Sequence, residues 1–459
     1  MKKMAMENLP SVAIDSFLYY FKQLCDSDCG TISEQRIDPV QPADLENLES
    51  IERSNLDIHK ALSQTVVLKL NGGLGTTMGL DKAKSLISVK NSCSFLDITA
   101  LQIRNLNRTF GVTIPLILMN SFKTEKDSSA VLSNYPDLKT VFPFSFLQNK
   151  FPKIIQKTLE PACCVQNPSL EWNPPGHGDI YSTLFTTGIL EKLLEHNYKY
   201  AFVSNIDNLG AALDTNVLGY FASKGFSFLM EVTDRTHMDR KGGHLAKTKD
   251  GRFVLRESAQ CSEKDRTAFT DITLHRYFNT NNLWIDLGSL YDTLNQNDNQ
   301  LRLPLIINTK HLDPKHRSSP SVYQLESAMG SAISVFNNSS ALRVPRTRFS
   351  PVKSCEDLLL LWSDYYVLTD DYHIVVNPAR KEGSIDISLD PQYYGHIDQL
   401  QDRFPHGAPS LINCKALCIQ GDVRFGKNVT IADSVTIVND SSAVAFIDDS
   451  SHIDSDITL

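Results

Sequence analysis

Residues 70–87 read LNGGLGTTMGLDKAKSLI, and their reading decides the fold. Gly72, Gly73, Gly75 and Gly79 fall within eight residues, directly after the apolar run TVVLKL at 65–70. This profile predicts a buried strand that opens into a loop whose backbone approaches a ligand closely. A tight strand-to-helix turn would account for one or two glycines, but not for four with Lys69, Lys82 and Lys84 around them. No register gives the GxxxxGK[ST] of a Walker loop. Gly73 and Gly75 begin a GxGxxG, but the next glycine, Gly79, comes one residue late. Backbone N–H groups with a lysine just downstream suit a triphosphate.

Outward from this loop, strands and helices alternate. IPLILMN (114–120), YAFVSNIDNLG (200–210) and FSFLMEV (226–232) read as strands. SFLDITALQIRNLNRTFG (94–111), SFKTEKDSSAVLSNY (121–135) and TNVLGYFASKG (215–225) read as helices. The alternation predicts an α/β fold with a mostly parallel sheet wrapped by helices. Ligands of such sheets sit beyond the carboxyl ends of the strands, where LNGG and SNIDN both fall. The first sixty or so residues read as helical, with Ile14, Phe17, Leu18, Phe21 and Leu24 at helical spacing. A second, polar helix is expected across 42–62.

The tail has a different period. Leu411, Leu417, Val423, Val429, Val435, Ile447, Ile453 and Leu459 lie on one six-residue ladder, broken only at Ser441. Ile419, Phe425, Ile431 and Ile437 form a second ladder two residues behind. A period of six with aliphatic anchors predicts a parallel β-helix from about residue 410, whose terminal coil lacks a polar cap. The resulting partition is a helical segment over 1–62, a catalytic domain over 63–375, a linker over 376–409 and a β-helix over 410–459.

At 459 residues the chain exceeds one core, which agrees with two or three domains. A net charge of −8 argues against a nucleic-acid partner, which needs a basic face. The nine scattered cysteines include Cys25/Cys29 and Cys414/Cys418, neither with zinc-site spacing, and read as reduced thiols. The expected compartment is therefore the cytoplasm. The N-terminal apolar stretch is interrupted by Glu7, Pro10 and Asp15, so neither a signal peptide nor a membrane partner is expected.

Further blocks carry polar residues, each with a bland reading beside the functional one. Gln148 in FLQNKFPKI could be a surface amide. His177 lies in the Gly-His-Gly turn of PPGHGDIY, and a histidine beside glycine is more often structural than catalytic. Asp207 in SNIDNLGA could cap the next helix. A carboxylate at the end of a buried strand is also costly unless paired or metal-bound, and a triphosphate needs Mg2+, which takes one or two carboxylates. DRKGGHLA (239–246) reads as a hairpin. Asn279, Asn281 and Asn282 in YFNTNNLWI could be a turn, or could hold sugar hydroxyls. Arg346, Arg348 and Lys353 in VPRTRFSPVKS could be a solvated basic strand.

Taken in order, LNGGLGT, GHGD, DNLG, FNTNN and PVK resemble the signature of the UDP-glucose pyrophosphorylases, or UTP–glucose-1-phosphate uridylyltransferases, over roughly residues 65–370. One departure stands in the loop: the family has Gly-Pro before its lysine, whereas Ala83 precedes Lys84 here. The resemblance implies a Rossmann-like, GT-A-like nucleotidyltransferase domain and a left-handed C-terminal β-helix. It implies transfer of UMP from UTP to glucose 1-phosphate, with Mg2+ held by Asp207. Lys84 and Lys353 would act on the phosphates. Leu70, Asn71, Gly72, Gly73, Gln148, Gly176, Asn205 and Asp207 would contact UTP. Gly72, Gly73, His177, Asn279, Asn281 and Glu326 would serve the sugar phosphate. The tail would offer a contact for a second copy of the chain. Three rival readings are a pyrophosphorylase of broader UDP-sugar or UDP-N-acetylhexosamine specificity, a catalytically silent scaffold and an NAD-dependent oxidoreductase. The intact Lys84, Asp207 and Lys353 oppose the second, and the broken GxGxxG opposes the third.

Overall fold

The structure is a computed structural model that describes every residue except 27–29, 52–55, 76–77, 81, 241, 315 and 317. Cys29, then Thr76, Thr77 and Asp81 of the glycine stretch, and Lys241 of DRKGGHLA lie outside the described residues.

Seven strands make the body of the central sheet: β1 (Thr65–Asn71), β2 (Leu116–Asn120), β3 (Ser145–Leu147), β4 (Tyr200–Asn205), β5 (Phe228–Asp234), β6 (Tyr277–Asp286) and β7 (Ser339–Arg343). Their spatial order is β7-β5-β6-β4-β1-β2-β3. Neighbours pair in parallel except around β6, which runs antiparallel to both β4 and β5. The sheet is thus mixed and mostly parallel, as the alternation predicts. All seven residues of β1 are buried. Val66, Leu68 and Leu70 face one apolar layer and Val67 the other, as the two-residue period of a strand requires.

The order of connections locates the crevice. From β1 the chain steps to β2 and β3 on one side, then returns to β4 on the other. The direction reverses between β1 and β4, the topological switch point where open α/β sheets bind ligands. Leu70 pairs with Asn205 there, so the glycine loop and the SNIDN loop leave the sheet side by side.

Three expectations change. Residues 42–62 do not form one helix: among the described residues, Pro42–Asp44 is a single 3-10 turn, Glu46–Asn47 is a short strand parallel to β7, and an α-helix covers Ile58–Ser63. The paired glycines of DRKGGHLA lie ahead of a hairpin, His244–Thr248 with Phe253–Arg256, and not at its turn. The stretch 376–409 carries a strand, Asp386–Leu389, and helices Pro391–Tyr394 and Ile397–Arg403.

Among the described strands from Asp386 onward every pairing is parallel. Leu417 pairs with Val435 and Ile419 with Ile437, while Phe425 pairs with Ile447. The six-residue ladder is buried from Leu411 to Ile453, and Leu459 at its end is 42% exposed. One apolar cluster takes in Val67 under the sheet, Phe95 of the helix Phe95–Phe110, and Leu411, Leu417 and Val435 of the tail. Sheet and tail therefore share a core.

Candidate active site

The cleft at the switch point is built from the ends of parallel strands. β1 delivers Leu70, Gly72 and Gly73; β4 delivers Asn205 and, one turn on, Asp207; β3 runs into Gln148. Gly176 and His177 close the far wall, and Lys84 reaches in from the glycine loop. Nine of the residues singled out above thus line one cleft. Met119, Pro174 and Ile206 complete it. Met119 carried a signal, since it ends β2 at the same sheet edge as Leu70, but an apolar residue gives no chemical clue to a site.

Two glycines are required by what stands against them. A Cβ on Gly72 would lie 2.8 Å from Gln148 Nε2, so only a bare backbone lets that amide face the cleft. Gly176 has φ +82°, and a Cβ there would lie 2.4 Å from the Ser327 carbonyl oxygen.

Charge meets at the centre. Lys84 Nζ lies 2.6 Å from Asp207 Oδ2, with both side chains mostly out of solvent. Asp207 does not cap the following helix: Asp214 does, accepting from the N–H groups of Asn216 and Val217. Asp207 is thus left to the cleft. Among the described residues no three acidic, histidine or cysteine groups gather as a metal cage. A single carboxylate fits Mg2+ that arrives with a triphosphate, because that ion keeps phosphate oxygens and waters as its remaining ligands.

His177 Nδ1 accepts a hydrogen bond from the Met329 backbone N–H at 2.9 Å. The ring is therefore neutral, with its proton on Nε2 as a donor. Burial lowers its pKa from the usual 6.5 to about 4, so it stays neutral near pH 7.

Other predicted residues stand apart from this cleft. Asn71 points behind β1, where Nδ2 donates to Asn120 Oδ1 and Ser128 Oγ. Lys69, counted among the loop's lysines, is fully enclosed and donates to Ser204 Oγ and the Ala211 carbonyl, each at 2.7 Å. Burial lowers its pKa to about 7. Arg348 is not a solvated charge: it is buried and grips Glu231 through two bonds of 2.7 Å. Arg346 is likewise paired, with Asp239. Asn279 Nδ2 donates to Asn281 Oδ1, and Asn281 has φ +59°, so FNTNN is a kinked strand and not a turn between elements. Glu326 lies behind Gly176, and burial raises its pKa. Lys353 is exposed beyond the cleft, its ammonium 5.6 Å from the Phe349 ring.

Comparison with known proteins bears on this arrangement. The family model described as UTP–glucose-1-phosphate uridylyltransferase matches residues 14–432. A probable UTP–glucose-1-phosphate uridylyltransferase of Schizosaccharomyces pombe is 36% identical over 429 residues, 93% of this chain and 83% of that protein. The Solanum tuberosum UTP–glucose-1-phosphate uridylyltransferase is 38% identical over 88% of this chain and 83% of its own length. A crystal structure of a Leishmania major UDP-glucose pyrophosphorylase mutant in complex with UDP-glucose superposes with a TM-score of 0.92 at 42% identity, covering 100% of this chain and 97% of that one. A Trypanosoma brucei structure titled UDP-glucose phosphorylase gives 0.90, also at 42% identity, over 100% and 98%. With the family model spanning most of the sequence and the fold matching from end to end, this chain belongs to the UTP–glucose-1-phosphate uridylyltransferase family.

Proposed function

We propose that this chain transfers UMP from UTP to glucose 1-phosphate, giving UDP-glucose and pyrophosphate. The observation that carries the reading is the Lys84–Asp207 pair, which lines one cleft with the bare backbone of Gly72–Gly73 and the amide of Gln148. An oxygen of the sugar phosphate attacks the α-phosphorus of UTP in line. The new P–O bond forms as the bond to pyrophosphate breaks, and pyrophosphate leaves with the electron pair. The attacking oxygen is already anionic at neutral pH, so no general base is needed. The protein's work is to hold two polyanions together and to offset their charge.

In this reading Gly72 and Gly73 give close backbone contact to nucleotide and phosphate, and Gln148 with the Gly176 backbone matches the uracil edge. His177 donates from Nε2 to the sugar phosphate. Lys84 and Lys353 act on the phosphates. Asp207 would hold Mg2+, which when bound neutralises charge across the α-phosphate and the leaving group. Asn279, Asn281 and Glu326 serve the hexose. The tail sheets are read as coils of a left-handed β-helix, whose exposed end offers a contact to a second copy, and the proposed compartment is the cytoplasm.

Incubation with UTP and a panel of sugar 1-phosphates, with products followed by phosphorus NMR, tests the reading. UDP-glucose and pyrophosphate should appear in equal amounts, fastest with glucose 1-phosphate. Equal rates with galactose or N-acetylhexosamine phosphates would favour a broad UDP-sugar pyrophosphorylase, and no product at all would favour a silent homologue.

A further inference from the structure

The Asp207 loop and the Lys353 segment come from distant parts of the chain, yet one buried side chain joins them. Asn208 is 2% exposed. Its Nδ2 donates to the Arg348 carbonyl at 3.1 Å and to Asn282 Oδ1 at 3.3 Å. Its Oδ1 accepts from the Ser350 backbone N–H at 2.9 Å. Either side of these bonds, Asn208 forms an isolated antiparallel bridge with Pro351, and the Val352 N–H donates to the Asp207 carbonyl at 3.2 Å. Residues 207–208 and 348–352 thus lie against each other as a two-strand splice, with Asp207 at one edge and Lys353 next in line at the other.

The splice rests on a rigid floor. Arg348, whose carbonyl receives the Asn208 amide, is fixed by its paired bonds to Glu231 and donates to the Ala212 carbonyl. Glu231 is itself saturated by Asn282 Nδ2 and Trp284 Nε1. Lys69 holds Ser204 and Ala211, so the loop from 204 to 212 is tied at both ends. A fully satisfied buried polar network admits one arrangement, since any slip strands a donor or acceptor out of water.

We infer that Asn208 is a positioning residue that sets the Lys353 segment in register with the Asp207 carboxylate, so that the two charges reach the same phosphates. The inference rests on the roles proposed above for Asp207 and Lys353. A displacement of about 1 Å at a reacting group can cost on the order of 100-fold in rate.

A double-mutant cycle between Asn208 and Lys353 tests it. Asn208→Ala should lower kcat by at least about 10-fold while KM for UTP stays within about three-fold, because the groups assigned to the uracil, Gln148 and the Gly176 backbone, lie on other segments of the chain. Asn208→Asp, which keeps the acceptor for Ser350 N–H but turns a carboxylate oxygen toward the Arg348 carbonyl and Asn282 Oδ1, should lose at least as much. In a Lys353→Ala background the further effect of either substitution should shrink to about two-fold or less. Should Asn208→Ala fail to fold by circular dichroism, the Asn208→Asp cycle decides. Effects that multiply in the double variant would overturn the inference, since Asn208 would then act independently of Lys353. So would a kcat within two-fold of wild type for Asn208→Ala. If Lys353→Ala alone retains full turnover, the role assigned to Lys353 fails first and this inference falls with it; that outcome is told apart by the single variant.

Discussion

At the residue scale, what decides the account is which charges are free to meet substrate and which the fold has already used. Arg346, Arg348 and Lys353 look alike in sequence, but only Lys353 keeps an exposed ammonium without an acidic partner among the described residues. Lys353→Ala should therefore reduce turnover by on the order of 100-fold or more while leaving the thermal melt unchanged. A turnover within a few-fold of wild type would remove Lys353 from the chemistry. Lys84 differs, because its ammonium pairs with Asp207. Lys84→Met leaves that carboxylate without its partner, so Mn2+ binding in the absence of nucleotide, read by paramagnetic resonance, should tighten. Unchanged binding would mean that Asp207 is not the metal ligand. His177 gives a pH dependence. Its folded pKa of about 4 lies below the ordinary 6.5, so between these values the unfolded chain holds a proton that the folded chain does not. Stability contributed by His177 is thus full above about 6.5 and is lost as pH falls through 4. Wild type should lose melting temperature relative to His177→Gln across that window, and parallel curves would contradict the neutral assignment. None of these partners was legible in the sequence, because an ion pair such as Arg348–Glu231 joins residues over a hundred positions apart.

At the scale of elements, the sequence was most readable where burial repeats. TVVLKL, IPLILMN and YAFVSNIDN announce β1, β2 and β4 because a central parallel strand is apolar on both faces. The loops after β1 and β4 were legible as the walls of a cleft, because open α/β sheets leave a crevice beyond the carboxyl ends of their strands. What periodicity could not carry was the polar stretch at 42–62, where Glu46–Asn47 becomes a strand through pairing with β7, and the kink at Asn281. Both depend on partners far along the chain. The glycine turn Gly176–Gly178 is the element that most constrains the cleft. Gly176→Ala must carry a side chain at φ +82° against the Ser327 carbonyl, at a cost of about 1–3 kcal/mol. Chemical denaturation should show that loss, together with a raised KM for UTP as the wall shifts. Unaltered stability and KM would place the turn outside the nucleotide site.

Across the whole molecule, the six-residue ladder found the tail but concealed how firmly it is joined to the rest. Arg380 donates to the carbonyls of Leu411, Ile412 and Cys414, Asp364 accepts from Ser410 and Leu411, and Tyr394 bonds Val423. Removal of residues 410–459 should therefore lower the melting temperature markedly, because apolar groups of the shared core are uncovered. If self-association runs through the exposed end at Leu459, light scattering of the full chain should show a larger particle that loses mass on mild truncation of the last coil; equal mass per chain would exclude that contact. The cleft's histidine is a hydrogen-bond donor and its charged groups, Lys84 and Asp207, balance one another, which suits direct transfer without a protein-bound intermediate. The most direct test is the stereochemical course with a chiral α-thiophosphate analogue of UTP and glucose 1-phosphate. Inversion at the α-phosphorus, the mark of one in-line displacement, is the expected result. Retention would contradict it, since a second displacement would require a protein group, His177 foremost, to have carried the uridylyl moiety.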